Sequence, residues 1–439
     1  MKTKNSIGVQ IPKILLPNRE LDYQKWAVIA CDQYTSEPEY WKEVEDFVGD
    51  SPSTLRMVLP EVYLETEKEH RLIIETQKTM CDYIQKGLLF EYEGFILVER
   101  TVAGKTRHGL IMALDLEQYD YNKGSQTLIR ATEGTIIDRL PPRMRIRENA
   151  IIEFPHILVL IDDPQETVIE PVLAVTHLLK KLYDIELMQK SGHLCGYGVN
   201  QSEIQDQILI SLGKLASPEH FQSKYGVNEQ YGVLLFAMGD GNHSLATAKA
   251  IWEKNKKIVG MDHPSRYALV EIENIHSKGL EFEPIHRVLF QISENPIIAM
   301  QTFWKENFSI EKVLDEKTMV KTVDSNESVH QKFGFIQEDG IYVVTIENPA
   351  TNLAVGTLQQ FLDKWVKNGV VEKIDYVHGR EVTCKLGSKP GNCGFYLPAM
   401  PKNELFKTVI LDGALPRKTF SMGEAYEKRF YLEGRKITI

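Results

Sequence analysis

Tyr231-Gly-Val-Leu-Leu-Phe-Ala-Met-Gly-Asp240-Gly-Asn-His243-Ser244-Leu-Ala-Thr-Ala-Lys249 is the stretch from which the fold of this chain is read. An apolar run of strand character stops at Gly239. Two glycines bracket Asp240, and the cluster Asn242-His243-Ser244 opens a segment of helical composition running to about Lys254. Where a strand turns through glycine into a helix, the first backbone N–H groups lack partners and the helix dipole favours an anion. Such turns bind phosphate. The plainer reading is a helix start capped by Asn242 or Ser244, with Asp240 holding the turn and His243 exposed. Three polar groups of different acid–base character, crowded at one turn, favour chemistry.

The chain has 439 residues, 43% hydrophobic and 26% charged, which is ordinary globular composition and ample for a large core. The formal charge of -10 disfavours general affinity for nucleic acid or an anionic membrane. Five cysteines without CxxC spacing argue against a disulfide framework and a zinc site, and fit a reducing cytoplasm. The polar and proline interruptions of Ile7 to Leu16 leave no clean signal segment, and no apolar run approaches bilayer-spanning length.

The pattern predicts a buried strand over Trp26 to Cys31 and a helix beginning near Glu37, with Ser36 as its N-cap. Leu64 to Gly87 reads as a long helix. Phe95 to Arg100 and Arg107 to Asp115 read as strands paired around Ala103-Gly104. His156 to Ile161 reads as a strand, Val172 to Leu182 and Ile204 to Ala216 as helices, and Val323 to Ser328 as a polar loop. Gly340 to Ile346 is a strand and Ala354 to Asn368 an amphipathic helix. The fold class is therefore α/β or α+β, with mixed sheets and helices. A boundary near 228 divides it into lobes 1–228 and 229–439.

Four further groups carry candidate chemistry. Arg130-Ala-Thr132-Glu133-Gly-Thr135 runs on through Pro141-Pro142-Arg143-Met-Arg145-Ile-Arg147, using arginine to the exclusion of lysine. The planar guanidinium fork matches phosphate oxygens. The threonines add hydroxyls, and Glu133 a base or metal ligand. The competing reading pairs these arginines with surplus surface carboxylates. Asp32 and Glu37 flank a turn at a strand's end, where α/β sheets place ligands; taken by themselves they read first as a capped helix start. His286-Arg287 is a compact pair that also suits a core histidine and an ion-pair partner. Arg417-Lys418, near the C-terminus, is a basic loop that would fold back over a site or merely face solvent. The cysteines read as small buried hydrophobes, and no P-loop pattern is present.

Gly239-Asp240-Gly241-Asn242-His243-Ser244, with its Ala246/Ala248 helix, resembles the phosphate-binding turn of the ParB/sulfiredoxin-like superfamily. More closely, the chain resembles, almost end to end, a large bacterial family long described as a domain of unknown function. That likeness rests on Ala30-Cys-Asp-Gln-Tyr-Thr-Ser36, Arg130-Ala-Thr-Glu-Gly-Thr135, Pro141-Pro-Arg143, Pro155-His-Ile, Asp162-Asp-Pro164, Pro284-Ile-His-Arg287 and Pro416-Arg-Lys418. The superfamily includes kinases of free L-serine that use ADP or pyrophosphate.

The resemblance implies a ParB/sulfiredoxin-like core with large additions. It implies that Gly241, Asn242 and Ser244 hold donor phosphates, with Asp240 toward Mg2+ and His243 on phosphate or substrate. It further implies that Arg130, Arg143 and Arg145 neutralise the transferring group, and that Asp32, Glu37 or Glu133 accepts the serine proton. Ser244 stands where the superfamily turn often carries arginine, so Arg130 or Arg287 would supply that charge; this favours a compact donor such as pyrophosphate. Thr132, Thr135, His286, Arg417 and Lys418 complete the expected phosphate and substrate contacts. The expected function is a cytoplasmic phosphotransferase making O-phosphoserine. The alternatives are the reverse, phosphatase-like reaction and a non-catalytic nucleotide-binding regulator. The expected partners are small molecules alone, without nucleic acid or membrane, and a homo-oligomer is left open.

Overall fold

The computed structural model describes residues 3–4, 7–35, 37–135, 137–325 and 330–439, side chains at 3, 4 and 138 excepted. Ser36, the expected N-cap, and residues 326–328 of the expected loop lie outside this set. The chain forms two compact units, one of residues 1–280 with 423–439 and the other of residues 281–422. The class is mixed α/β, as the sequence predicts.

The first unit is built on an eleven-stranded mixed sheet among the described residues. Its strands include β1 (Phe95–Val102), β2 (Lys105–Asp115), β3 (Tyr119–Asp120), β4 (Ile129–Arg130), β5 (Leu158–Ile161), β6 (Lys180–Glu186), β7 (His193–Val199), β8 (Phe236–Asp240) and β9 (Tyr267–Asn274). They lie in the order β6-β7-β1-β2-β9-β5-β8-β4-β3. β5 runs antiparallel to β8, with Leu158 opposite Asp240, and β4 runs parallel to β8. The start of β5 and the end of β8 therefore share one edge.

The helix after β8, α4 (Asn242–Val259), buries Leu245, Ala248, Ile251 and Trp252. That i, i+3, i+6, i+7 spacing places one apolar face on the sheet. The other helices used below are α1 (Pro38–Val48), α2 (Glu69–Gln85) and α3 (Leu140–Arg147).

The second unit carries a seven-stranded sheet among the described residues. It includes β10 (Phe282–Ile292), β11 (Gln331–Gln337), β12 (Gly340–Ile346), β13 (Val371–His378) and β14 (Cys393–Tyr396). The amphipathic α5 (Ala354–Lys367) packs Leu358, Phe361, Leu362 and Trp365 into its core.

Three expectations are corrected. The boundary near 228 fails because β8 lies in the same sheet as β5 and β4, which precede it in sequence. The helix predicted over Val172 to Leu182 breaks after Ala174, and Lys180–Glu186 pairs with β7 as an edge strand. The strand over Trp26 to Cys31 shrinks to Val28–Ile29, with a helical turn, Tyr23–Trp26, before it.

Candidate functional site

Gly241 is the pivot between β8 and α4. Its φ is +78°, and a Cβ there would sit 3.0 Å from Ile157 Cα and 3.5 Å from the His156 carbonyl oxygen. Only glycine combines the left-handed backbone with that approach. No side chain caps α4, and its first turn holds no acidic residue. The expected capping by Asn242 or Ser244 is not what forms. The Asn242 Oδ1 atom is instead buried without a hydrogen-bond partner.

Asp240 ends β8. One of its oxygens accepts the Gly241 N–H at 2.9 Å, and the other lies 3.3 Å from the Lys428 ammonium. Burial pushes the Asp240 carboxyl up; Lys428, His156 and the Gly241 N–H together outweigh burial and hold it below the usual range. Lys428 arrives because the short strand Phe430–Tyr431 pairs antiparallel with Val28–Ile29, Phe430 opposite Ile29. The same ribbon sets the Cys31-Asp32 turn beside His156. Asp32 Oδ2 is 3.7 Å from His156 Nε2, and Tyr431 Oη is 2.8 Å from His156 Nδ1.

The group extends to Glu61, whose backbone N–H donates to the Cys31 carbonyl at 2.8 Å. Glu61 Oε2 accepts from Arg143 Nη2 at 2.5 Å. Burial raises the Glu61 pKa, opposed by Arg143 and reinforced by Asp32. Burial, with Glu61 and Asp32 beside it, pushes the Cys31 thiol up, which favours its protonated form.

The arginine run does not act as one surface. α3 begins at Leu140, with Pro141 and Pro142 in its first turn. Residues two apart on a helix point about 200° apart. Arg143 therefore meets Glu61, Arg145 meets Glu69 and Arg147 meets Glu153. Arg145, half exposed, is spent on that surface pair. Arg130 is 3% exposed; it donates to the carbonyls of Thr127 and Gly232, at the end of β8 away from Asp240. Its Nη1 is a buried atom without a partner. Of the three arginines expected at the transferring group, Arg143 alone reaches this cluster.

Thr132 donates to the Met238 carbonyl at 2.7 Å, while Thr135 Oγ1 is buried without a partner. Glu133 is half-buried on the same turn, and Glu37 is exposed at the start of α1. His243 and Ser244 stand half-buried in the first turn of α4.

His286, Arg287, Arg417 and Lys418 belong to the second unit. His286 is buried, accepts the Leu397 N–H at Nδ1 at 3.1 Å and stacks on Tyr396. Burial, with Arg287 and His378 nearby, pushes its pKa down to about 4. Arg287 is fully buried and donates to the carbonyls of Ile285, Arg417 and Lys418, which fixes the basic loop. Arg417 donates to the Tyr376 hydroxyl at 2.9 Å. The donors of Arg287 are thus committed to backbone carbonyls of its own unit.

Sequence reasoning missed Glu61, Lys428 and Tyr431 as site residues, and took His156 only as the start of a strand. The Pro155-His-Ile signature was the one local signal.

No group of three or more His, Cys, Asp or Glu that could hold a metal occurs among the described residues. Magnesium does not need one, since a carboxylate or two and substrate phosphates suffice. The cluster's chemistry fits that ion. Of its three carboxylates, Glu61 is paired with Arg143 and Asp240 with Lys428, while Asp32 faces His156. An anionic donor entering there needs more positive charge, and Asp240 and the orphan Asn242 oxygen are hard ligands.

Residues 15–365 match the family described as "Protein of unknown function (DUF1015)", and the chain belongs to that family. No curated protein matches it. Among solved structures, a free serine kinase in complex with AMP is 10% identical, with TM-score 0.39, covering 75% of this chain and 91% of its own. A conserved hypothetical protein from Pyrococcus furiosus is 11% identical, with TM-score 0.37, covering 73% of this chain and 93% of its own. SbnI from Staphylococcus aureus, truncated at its C-terminus, is 9% identical, with TM-score 0.37, covering 75% and 87%. At these values the likeness carries no functional argument. No helix among the described residues is long and apolar enough to cross a membrane.

Proposed function

We propose that this member of the DUF1015 family is a cytoplasmic phosphotransferase acting on a small hydroxylated metabolite. Free L-serine is the acceptor, O-phosphoserine the product, and pyrophosphate, or ADP, the donor. The observation that carries the reading is the uncapped, glycine-turned start of α4, with Asp240 beside it in the ion-paired group of Lys428, His156, Asp32, Glu61 and Arg143. Phosphoryl transfer asks little covalent chemistry of a protein. It asks for in-line positioning, cations on the equatorial oxygens and a group to take the hydroxyl proton.

In this reading the N–H groups of the first turn of α4 and the Ser244 hydroxyl receive donor phosphate oxygens. His243 contacts phosphate or substrate. Lys428 and Arg143 stabilise charge on the transferring group. Magnesium, when bound through Asp240 and Asn242, would neutralise donor oxygens. Asp32, Glu37 and Glu133 are the candidate proton acceptors. The test offers the purified protein a panel of hydroxylated amino acids with magnesium and one donor at a time. Phosphoserine from pyrophosphate or ADP is expected; tight nucleotide binding without turnover would overturn the reading.

A further inference from the structure

Tyr431 makes two hydrogen bonds with opposite polarity. Its oxygen accepts the backbone N–H of Cys31 at 3.0 Å, and His156 Nδ1, a far stronger acceptor than the Cys31 thiol that also neighbours the phenol, lies at 2.8 Å. Burial, with Cys31 and Asp32 nearby, raises the phenol pKa well above its ordinary value, so the O–H is present and must be donated. It goes to Nδ1. In the neutral ring the imidazole proton is therefore on Nε2, which faces Asp32 Oδ2 at 3.7 Å. The other Asp32 oxygen accepts from the Gln33 amide at 3.0 Å.

The neighbouring carboxylates are differently committed. Glu61 is bonded to Arg143, and Asp240 faces Lys428. Among the described residues, no lysine or arginine lies within ion-pair distance of Asp32, whose side chain is 27% exposed. Glu37 is exposed on α1, without a side-chain cap bond.

We infer that His156 and Tyr431 are positioning residues that make Asp32 the proton acceptor, and that the C-terminal segment is thereby part of the site. The inference rests on the phosphotransferase reading. The acceptor Oγ–H proton passes to the Asp32 carboxylate as the Oγ–P bond forms. The bridging P–O bond of the donor breaks, and the leaving phosphate departs with that electron pair. Asp32 then returns its proton to solvent. The Nε2–H of His156 faces Asp32 Oδ2 at 3.7 Å and orients the carboxylate electrostatically, and the Gln33 amide takes one lone pair of Oδ1, so the remaining lone pairs are left for the hydroxyl. The segment is anchored by Arg429, which is buried and pairs with Glu271 and with Glu433.

Three substitutions and one spectrum test this. Asp32→Asn is expected to lower kcat by about 1000-fold, within the range of a positioned general base. Tyr431→Phe keeps the ring and loses the donor; it should lower kcat about 10-fold, leave the donor KM within about twofold, and shift the acidic limb of the kcat–pH profile. His156→Gln, which retains a donor, should keep several times the activity of His156→Leu. Long-range 1H–15N spectra of histidine-labelled protein should show His156 as the Nε2–H tautomer, with its Nδ1 resonance shifted in Tyr431→Phe as the hydrogen bond to that nitrogen is lost. An unchanged kcat and pH profile in Tyr431→Phe, or an Nδ1–H tautomer in the parent, overturns the relay. A parent protein making no phosphoserine sinks the phosphotransferase reading and Asp32's role with it; the spectrum then judges the Tyr431–His156 geometry separately.

Discussion

The ammonium of Lys428 lies 3.3 Å from the Asp240 carboxylate, so the glycine turn at the middle of the chain is completed by a residue near its end. Lys428 is 8% exposed, and its charge helps hold Asp240 ionised. Lys428→Met removes that cation and leaves a partly buried carboxylate whose pKa must rise. Turnover should fall on the order of 100-fold, as when one preorganised charge is removed. The activity that remains should need higher pH than the parent, because Asp240 now protonates at higher pH. A pH–rate profile checks both.

Gly241→Ala places a methyl group 3.0 Å from Ile157 Cα on a backbone with φ +78°. The strain is about 1–3 kcal/mol. The melting temperature should drop, and turnover should drop further, because the turn moves relative to His156. Thermal unfolding and initial rates on one preparation separate the two effects.

Arg143 and Arg145 are two residues apart and should behave oppositely. Arg143→Ala breaks the contact with Glu61 and should cost about 100-fold in turnover. Arg145→Ala removes a half-exposed pair with Glu69; its effect should stay within about 1 kcal/mol of stability and leave turnover nearly unchanged. Equal losses in both would contradict this site.

His286 gives the second unit an acid sensitivity. Its pKa is pushed down to about 4 from 6.5, so between those values the unfolded state binds the extra proton. Stability associated with this histidine is present above pH 6.5 and declines as pH falls toward 4. Amide exchange at Leu397, whose N–H bonds the imidazole, should quicken over that window relative to β12. His286→Asn should flatten the response.

The strand–turn–helix was legible because it is local: an apolar run, glycines and a polar first turn lie within twenty residues. Hairpins such as β1 with β2 were legible for the same reason. Lys428 and Tyr431 were not, because antiparallel pairing of Phe430–Tyr431 with Val28–Ile29 joins residues some 400 positions apart, and Glu61 was not, because it enters through a backbone bond to the distant Cys31 carbonyl. The arginine run misled for a geometric reason. As a linear pattern it looks like one basic surface; wound into α3 it points to three separate carboxylates. Lys180–Glu186 misled because its edge pairing with β7 overrides local helical preference.

The central claim is that the Asp240–Ser244 turn and the Lys428, His156, Asp32 group transfer a phosphoryl group to free serine. Its most direct measurement is a 31P NMR time course of the purified protein with L-serine, magnesium and pyrophosphate, repeated with ADP and ATP and with Asp240→Asn as control. The predicted result is the O-phosphoserine resonance growing as pyrophosphate, or ADP, is consumed, and its absence in Asp240→Asn. No phosphoserine with any donor, or an undiminished rate in Asp240→Asn, would contradict the claim.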